Sequence, residues 1–325
     1  MHDGTWLWTT GVMAAVREPA GGEVCLTRRA GRATNAVRGA PGRSFRTGMP
    51  MASTSPATVV SRDGTTIAYW MTGQGPPLVL VHGTVSNHTT WDPVLPLLEV
   101  HRTLYAIDRR GRGGSGDTAD YDLSREFEDI AAVVDLAAET SGAGVDLLGH
   151  SFGGVCAFGA ARRTSHVRRL ALYEGWPNPH PEIGAASDAV MDLIEQHLSV
   201  GDSDAALETF CREVVHMSDE ELSGFRANAA WWQSRVEAAH TIVREDRAIG
   251  SAKLDPEEAS ELRIPVLLLV GTDSPDELRG GPEAVAQALP DARIEELEGQ
   301  QHLAHALAPD LFAGRLLAFL DQPDA

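Results

Sequence analysis

From residue 57 onward, short apolar runs alternate with longer amphipathic stretches. Residues 78–81, 103–107, 145–148, 170–173, 266–270 and 294–297 read as strands, each closed by small or polar residues such as His82-Gly83-Thr84 or Gly271-Thr272-Asp273. Strands of this kind separated by helices predict an α/β fold with a mostly parallel sheet covered on both faces, and ligands at the strand C-termini. Ahead of them, 58–61 and 66–71 flank an Asp63-Gly64 turn and read as a hairpin. Ser124 is placed to cap a helix whose Phe127, Ile130, Ala131, Val134 and Ala138 fall on one face.

Residues 176–250 break the alternation. They read as helices over 183–198 and 205–216, a piece beginning after Ser218-Asp219-Glu220, and one over 229–249. An all-helical insertion between two sheet strands is expected to form a lid. Trp231 and Trp232 then belong either to the lid core, the default for aromatics at helical spacing, or to a pocket wall.

Composition changes the picture at the start of the chain. Residues 1–50 hold seven arginines against three acids, whereas the whole chain carries a formal charge of −19. Without periodicity and rich in Gly, Ala and Thr, this segment is expected to be a disordered basic extension; a basic interaction arm is the functional alternative. The body, 51–175 and 251–325 with the insertion 176–250, is acidic, which speaks against nucleic-acid or anionic-membrane partners. No apolar run has the length of a membrane span, and 6–16 lacks the basic flank and cleavage site of a signal peptide. Cys25, Cys156 and Cys211 are odd in number and widely spaced, so neither a disulfide framework nor a metal site is suggested, and a cytoplasmic setting fits.

The candidate chemistry centres on Gly149-His150-Ser151-Phe152-Gly153-Gly154. It follows a strand and precedes an Ala-rich helix, the setting a G-x-S-x-G nucleophile turn requires. Gly149 and Gly153 let strand and helix approach, and the first helical turn aims free N–H groups at a developing oxyanion. Acyl transfer also needs a base, an acid and oxyanion donors. His302, after the last strand, is the candidate base, with His305 three residues on as the competitor. The backbone N–H groups of Phe152 and Thr84 are the candidate donors.

VLVHGT at 79–84, DRRGRGGS at 108–115, LLGHSFGG at 147–154 and the late His302 together resemble the α/β-hydrolase superfamily, over about residues 57–320. The resemblance implies an eight-stranded mostly parallel sheet, a helical cap after the sixth strand, no cofactor, and a Ser-His-acid triad. It assigns Asp108 and Arg112 a structural part in the loop below the site. One departure bears on the acid. Where the strand-seven loop of many members reads Gly-x-x-Asp, this chain has Ser274, with Asp273 one residue early and Glu174 at the end of strand six, the other position known for that acid. Glu174 is preferred, because a one-residue shift at a strand end turns the side chain to another face.

The leading expectation is hydrolysis of a carboxylic ester or lactone through an acyl-enzyme. Carbon–carbon bond hydrolysis, peracid formation and thioester cleavage are alternatives on the same residues, as is a ligand-binding protein that keeps the triad without turnover. Trp91, His88, Trp176, Trp231 and Trp232 suggest a fairly apolar small-molecule substrate.

Overall fold

In a computed structural model of the chain, residues 55–179 and 187–323 are described, together with two short strands nearer the start. Those strands, Trp6–Thr9 and Val12–Ala15, pair antiparallel with Trp6 opposite Ala15, in a unit of their own over 1–51. The rest of 1–50, and with it the expectation of a disordered extension, lies outside the described residues.

The body is built on eight strands: β1 (Ala57–Val60), β2 (Thr66–Gly73), β3 (Pro77–Val81), β4 (Thr103–Ile107), β5 (Val145–His150), β6 (Val167–Tyr173), β7 (Val266–Gly271) and β8 (Ala292–Leu297). They lie in the order β1-β2-β4-β3-β5-β6-β7-β8. β2 runs antiparallel to β1 and β4, and every other pairing is parallel. The predicted fold class is therefore the observed one, an eight-stranded mostly parallel sheet with a helical insertion after β6.

Strand periodicity divides the core into two layers. Leu78 and Leu80 of β3 join Leu148, Leu267 and Phe312 on one face, where helix Pro309–Leu320 packs. Val79 and Val81 join Ile130, Val134 and Ala157 on the other, beneath α1 (Leu123–Ser141) and α2 (Phe152–Ala161). The central strands are buried throughout because both faces are covered, which is why they read as continuous apolar runs. α1 is capped by Asp122, whose carboxylate accepts the Ser124 N–H at 2.7 Å. Ser124 is thus inside the helix and not its cap, since the longer-reaching carboxylate two residues earlier takes the exposed donor.

Between β6 and β7 the chain forms α3 (Asp188–Ser199), α4 (Ser203–Glu213), α5 (Asp219–Ala227), α6 (Ala229–Ala238) and α7 (Ile242–Ser251). A capping box at Ser218 and Glu221 starts α5. The continuous helix expected over 229–249 is divided by a 3₁₀ turn, Ala239–Thr241, where the Thr241 hydroxyl donates back to the Ala238 carbonyl at 2.8 Å. The bend lets Ile242 and Val243 join Met191, Ile194, Leu207 and Trp232 in a separate apolar cluster. The two ends of the insertion are tied together, the Asn178 N–H donating to Ala252 at 2.7 Å and the Leu254 N–H to Asn178 at 2.9 Å. Among the described residues no helix is long and apolar enough to cross a membrane.

Candidate active site

β5 ends at His150 and α2 begins at Phe152, so a single residue, Ser151, makes the turn. It does so at φ 54° and ψ −131°, a conformation that costs a side-chain-bearing residue about 1–3 kcal/mol. The surrounding contacts hold it there. The Ser151 N–H donates to the Tyr173 carbonyl at 2.9 Å. A Cβ on Gly153 would come within 2.3 Å of the His82 carbonyl, and one on Gly149 within 2.5 Å of the Gly153 carbonyl. Both glycines are therefore required by close packing of β5, α2 and the loop after β3.

His302 stands in the loop after β8 and meets Glu174, Nδ1 to Oε2 at 2.7 Å. Glu174 follows directly on β6 at φ 43°. Its other oxygen, Oε1, accepts the Gly271 N–H at 2.7 Å, and its own N–H donates to the Leu269 carbonyl at 3.1 Å. One carboxylate thus joins the ends of two adjacent strands and leaves one oxygen for the imidazole. Its side chain is wholly buried, while that of His302 keeps a tenth of its surface exposed. Accepting from Nδ1–H leaves Nε2 as the basic nitrogen.

The loop bearing His302 is pinned from below. The Tyr173 hydroxyl donates to the Gln301 carbonyl and accepts the Ala304 N–H at 2.9 Å. His150 donates from Nε2 to the His302 carbonyl at 2.9 Å. Burial, with His305 and His302 nearby, pushes the His150 pKa well below the usual histidine range, so it serves as a neutral donor.

The two competing residues lie elsewhere. His305 is fully buried, does not line the cavity, and has its pKa pushed down to about 3 by burial, by His302 and by Arg235. Asp273 is exposed, accepts from the Thr272 hydroxyl at 3.1 Å, and makes no bond to His302. Its N–H donates to the Gln300 carbonyl at 2.9 Å, and its side chain is exposed, as a one-residue shift at the strand end would have it.

Thr84 and Phe152 both border the cavity. Phe152 is the first residue of α2, so its N–H has no partner within the helix. The direction of the Thr84 N–H follows from the peptide before it. The Gly83 carbonyl accepts from His82 Nδ1 at 2.8 Å and Arg109 Nη1 at 3.2 Å, and in a trans peptide the next N–H points the opposite way. His82 Nε2 in turn accepts the Arg109 N–H at 3.1 Å.

A cavity of about 550 Å³ opens above these groups, bordered by Ser151, His302, Glu174 and Trp176 from the sheet side and by Phe210, Val214 and Ile242 from the insertion. Of the five residues expected from the sequence to bind substrate, Trp176 alone borders it, with its indole N–H donating to the Gly280 carbonyl at 2.8 Å. The other four need correction. Trp91 is wholly buried in the core layer that packs on helix Pro309–Leu320, against His305 and His150. His88 stacks on Trp70 and bonds Asp108 at 2.8 Å, where it braces the loop after β4. Trp232 fills the insertion's own core and donates to Asp204 at 3.0 Å. Trp231 stacks on the Arg235 guanidinium at 3.8 Å. Size drew attention to these side chains, but each is engaged in packing. Phe210 and Val214, missed in the sequence, fall at the end of α4, where apolar residues continue past the last helical turn. Among the described residues, no cluster of His, Cys, Asp or Glu could hold a metal ion.

Comparison with known proteins bears on the whole of this architecture. The alpha/beta hydrolase family model matches residues 78–315. N-formylmaleamate deformylase of Pseudomonas putida is 30% identical over 264 residues, covering 77% of this chain and 91% of the relative. The crystal structure of an alpha/beta hydrolase from Sphaerobacter thermophilus superposes with a TM-score of 0.70 at 32% identity, over 81% of this chain and 100% of that one. An esterase from Rhodococcus does so with a TM-score of 0.67 at 26% identity, over 83% and 99%.

Proposed function

The chain belongs to the α/β-hydrolase family and is a hydrolase of that family, and from this we propose that it cleaves a carboxylic ester or lactone of a fairly apolar small molecule through an acyl-enzyme on Ser151. The observation that carries the reading is the 2.7 Å bond between His302 Nδ1 and Glu174, with His302 and Ser151 bordering one cavity.

In this mechanism Ser151 Oγ attacks the acyl carbon while its proton passes to His302 Nε2. Glu174 holds the ring and stabilises the imidazolium that forms. The N–H groups of Thr84 and Phe152 receive the oxyanion, and preorganised donors of this kind contribute heavily to acyl transfer. Collapse of the intermediate expels the alcohol, which takes its proton from His302. Water, deprotonated by the same histidine, then attacks the acyl-enzyme and releases the acid, restoring Ser151. The insertion is read as a cap that selects the acyl group through Phe210, Val214 and Ile242.

A second reading, cleavage of a C–N bond, is favoured by the likeness to the Pseudomonas deformylase. Against an anionic substrate stands the charge of the cavity, which is bordered by Glu213 and Asp276 and, among the described residues, by no lysine or arginine. A cytoplasmic setting belongs to the same proposal, in keeping with the free thiols of Cys156 and Cys211. A fluorophosphonate probe is expected to label Ser151 and to leave Ser151→Ala unlabelled, with turnover of an activated ester lost by several orders of magnitude. Labelling that persists in the variant would refute the assignment.

A further inference from the structure

Beneath the loop that carries Thr84 lies a buried group of charges drawn from three parts of the chain. Arg109, wholly buried after β4, donates through Nε to Glu126 Oε2 at 3.1 Å and through Nη2 to Glu126 Oε1 at 2.7 Å and Glu245 Oε1 at 2.8 Å. Arg112 donates to the same oxygen of Glu245. Glu126 belongs to α1, whereas Glu245 comes from α7 in the insertion. Two guanidiniums thus face two carboxylates with no water-exposed surface on either acid, and the charges balance.

Glu245 is the member that connects the insertion to the catalytic loop. Burial alone would raise its pKa, but Arg109 and then Arg112 outweigh burial and hold the carboxyl below its ordinary range, with the Thr84 hydroxyl adding a smaller share. That hydroxyl forms no hydrogen bond to the carboxylate, whose Oε2 is without a partner among the described residues, so it acts on Glu245 through proximity alone. Arg109 meanwhile reaches the Gly83 carbonyl with Nη1 at 3.2 Å. The guanidinium that Glu245 shares with Glu126 is therefore one of two groups, with His82 Nδ1, that hold the plane of the Gly83–Thr84 peptide and so the direction of the Thr84 N–H.

We propose that Glu245 is a positioning residue for the oxyanion-binding loop, acting through Arg109 and the Thr84 hydroxyl, so that the loop is productive only when the insertion is seated. The inference rests on the acyl-enzyme reading above. A purely structural Glu245 would tie the insertion down without setting that N–H, and its removal would then change stability or substrate affinity while sparing the chemical step.

The test uses the full chain with p-nitrophenyl butyrate, comparing wild type, Glu245→Gln and Thr84→Val, alongside melting temperature. Because a displacement of about 1 Å at such a donor is costly, Glu245→Gln is expected to lower kcat about 10- to 100-fold with KM within about twofold. A trifluoromethyl ketone, bound as an oxyanion, should lose affinity by a similar factor. Thr84→Val keeps the N–H and loses the hydroxyl, and is expected to lower kcat about 3- to 10-fold. Unchanged kcat in Glu245→Gln, or a loss confined to KM, would overturn the proposal; should that variant not fold, unchanged kcat in Thr84→Val would do so. A wild type with neither turnover nor Ser151 labelling would instead overturn the acyl-enzyme reading, and this inference with it.

Discussion

The two walls of the cavity are made in different ways. On the sheet side nearly every group is fixed by a directional bond: Glu174 to Gly271 and His302, His150 and Tyr173 to the loop around His302, and Arg109 to the Gly83 carbonyl. On the insertion side Phe210, Val214 and Ile242 present apolar surface from helices whose ion pairs with one another, such as Arg226 to Asp204, are partly exposed, Glu245 being the buried exception that reaches the sheet side. Exposed pairs of that kind contribute little, about 0–1 kcal/mol each. The contrast separates two tasks. Proton transfer and oxyanion binding tolerate little displacement, whereas an apolar wall can adapt to its occupant without leaving a polar group unpaired.

The sharpest way to break this comparison is to remove one directional bond from the rigid wall and one from its edge. Glu174→Gln keeps an acceptor for the Gly271 N–H but offers His302 an amide, which disfavours the tautomer with Nε2 basic. Turnover is expected to fall at least about 100-fold with the melting temperature nearly unchanged. Asp273→Asn alters an exposed side chain bonded to the neighbouring threonine, and should change turnover less than about threefold. Steady-state kinetics on both, matched for stability, decide the assignment; the reverse order would move the acid to Asp273.

An intermediate effect is expected from charge. Glu213 and Asp276 border the cavity, so an acyl chain ending in a carboxylate should be repelled. At effective dielectric constants near 20, one such pair several ångströms apart is worth on the order of 1–2 kcal/mol, about tenfold in rate. p-Nitrophenyl hydrogen adipate should therefore show a kcat/KM about tenfold below p-nitrophenyl hexanoate, and salt should narrow the gap. Equal values at low salt would remove charge as a selecting feature and revive the anionic substrate class.

The same contrast explains what was legible in the sequence. The strands were, because a buried parallel strand is a continuous apolar run and each one ends at a loop with small residues; all eight lie within a few residues of where the pattern put them. Ser151 and Glu174 were conspicuous because each is a polar residue placed where such a run stops. The packing of the insertion was not legible. Helical periodicity identifies an apolar face but not what that face touches, so Trp231 and Trp232 drew attention while Phe210 and Val214 did not. The pairing of Arg109 with Glu245 was beyond reach for the same reason, joining residues 136 positions apart with no local signature.

The smallest effect lies within the insertion, where two aromatics of similar appearance in the sequence should part company. Phe210 borders the cavity and is partly buried, so Phe210→Ala removes wall from the space the acyl group would fill. Longer acyl chains should gain on shorter ones by about three- to tenfold in kcat/KM, the scale on which a methylene or two in an apolar pocket discriminates. Trp232 is buried in the cluster formed with Met191, Ile194 and Leu207, with its N–H on Asp204 and Arg226 over its ring at 4.4 Å. Trp232→Ala should cost about 3–5 kcal/mol of local stability through the void it leaves, while relative rates across a p-nitrophenyl ester series from acetate to octanoate stay level. Measuring that series beside thermal melts separates the two, since a wall residue changes the ranking of substrates and a core residue changes the temperature at which any ranking is lost. A flat series in Phe210→Ala with a changed ranking in Trp232→Ala would exchange their roles and place the selecting surface inside the helical cluster instead of along the cavity.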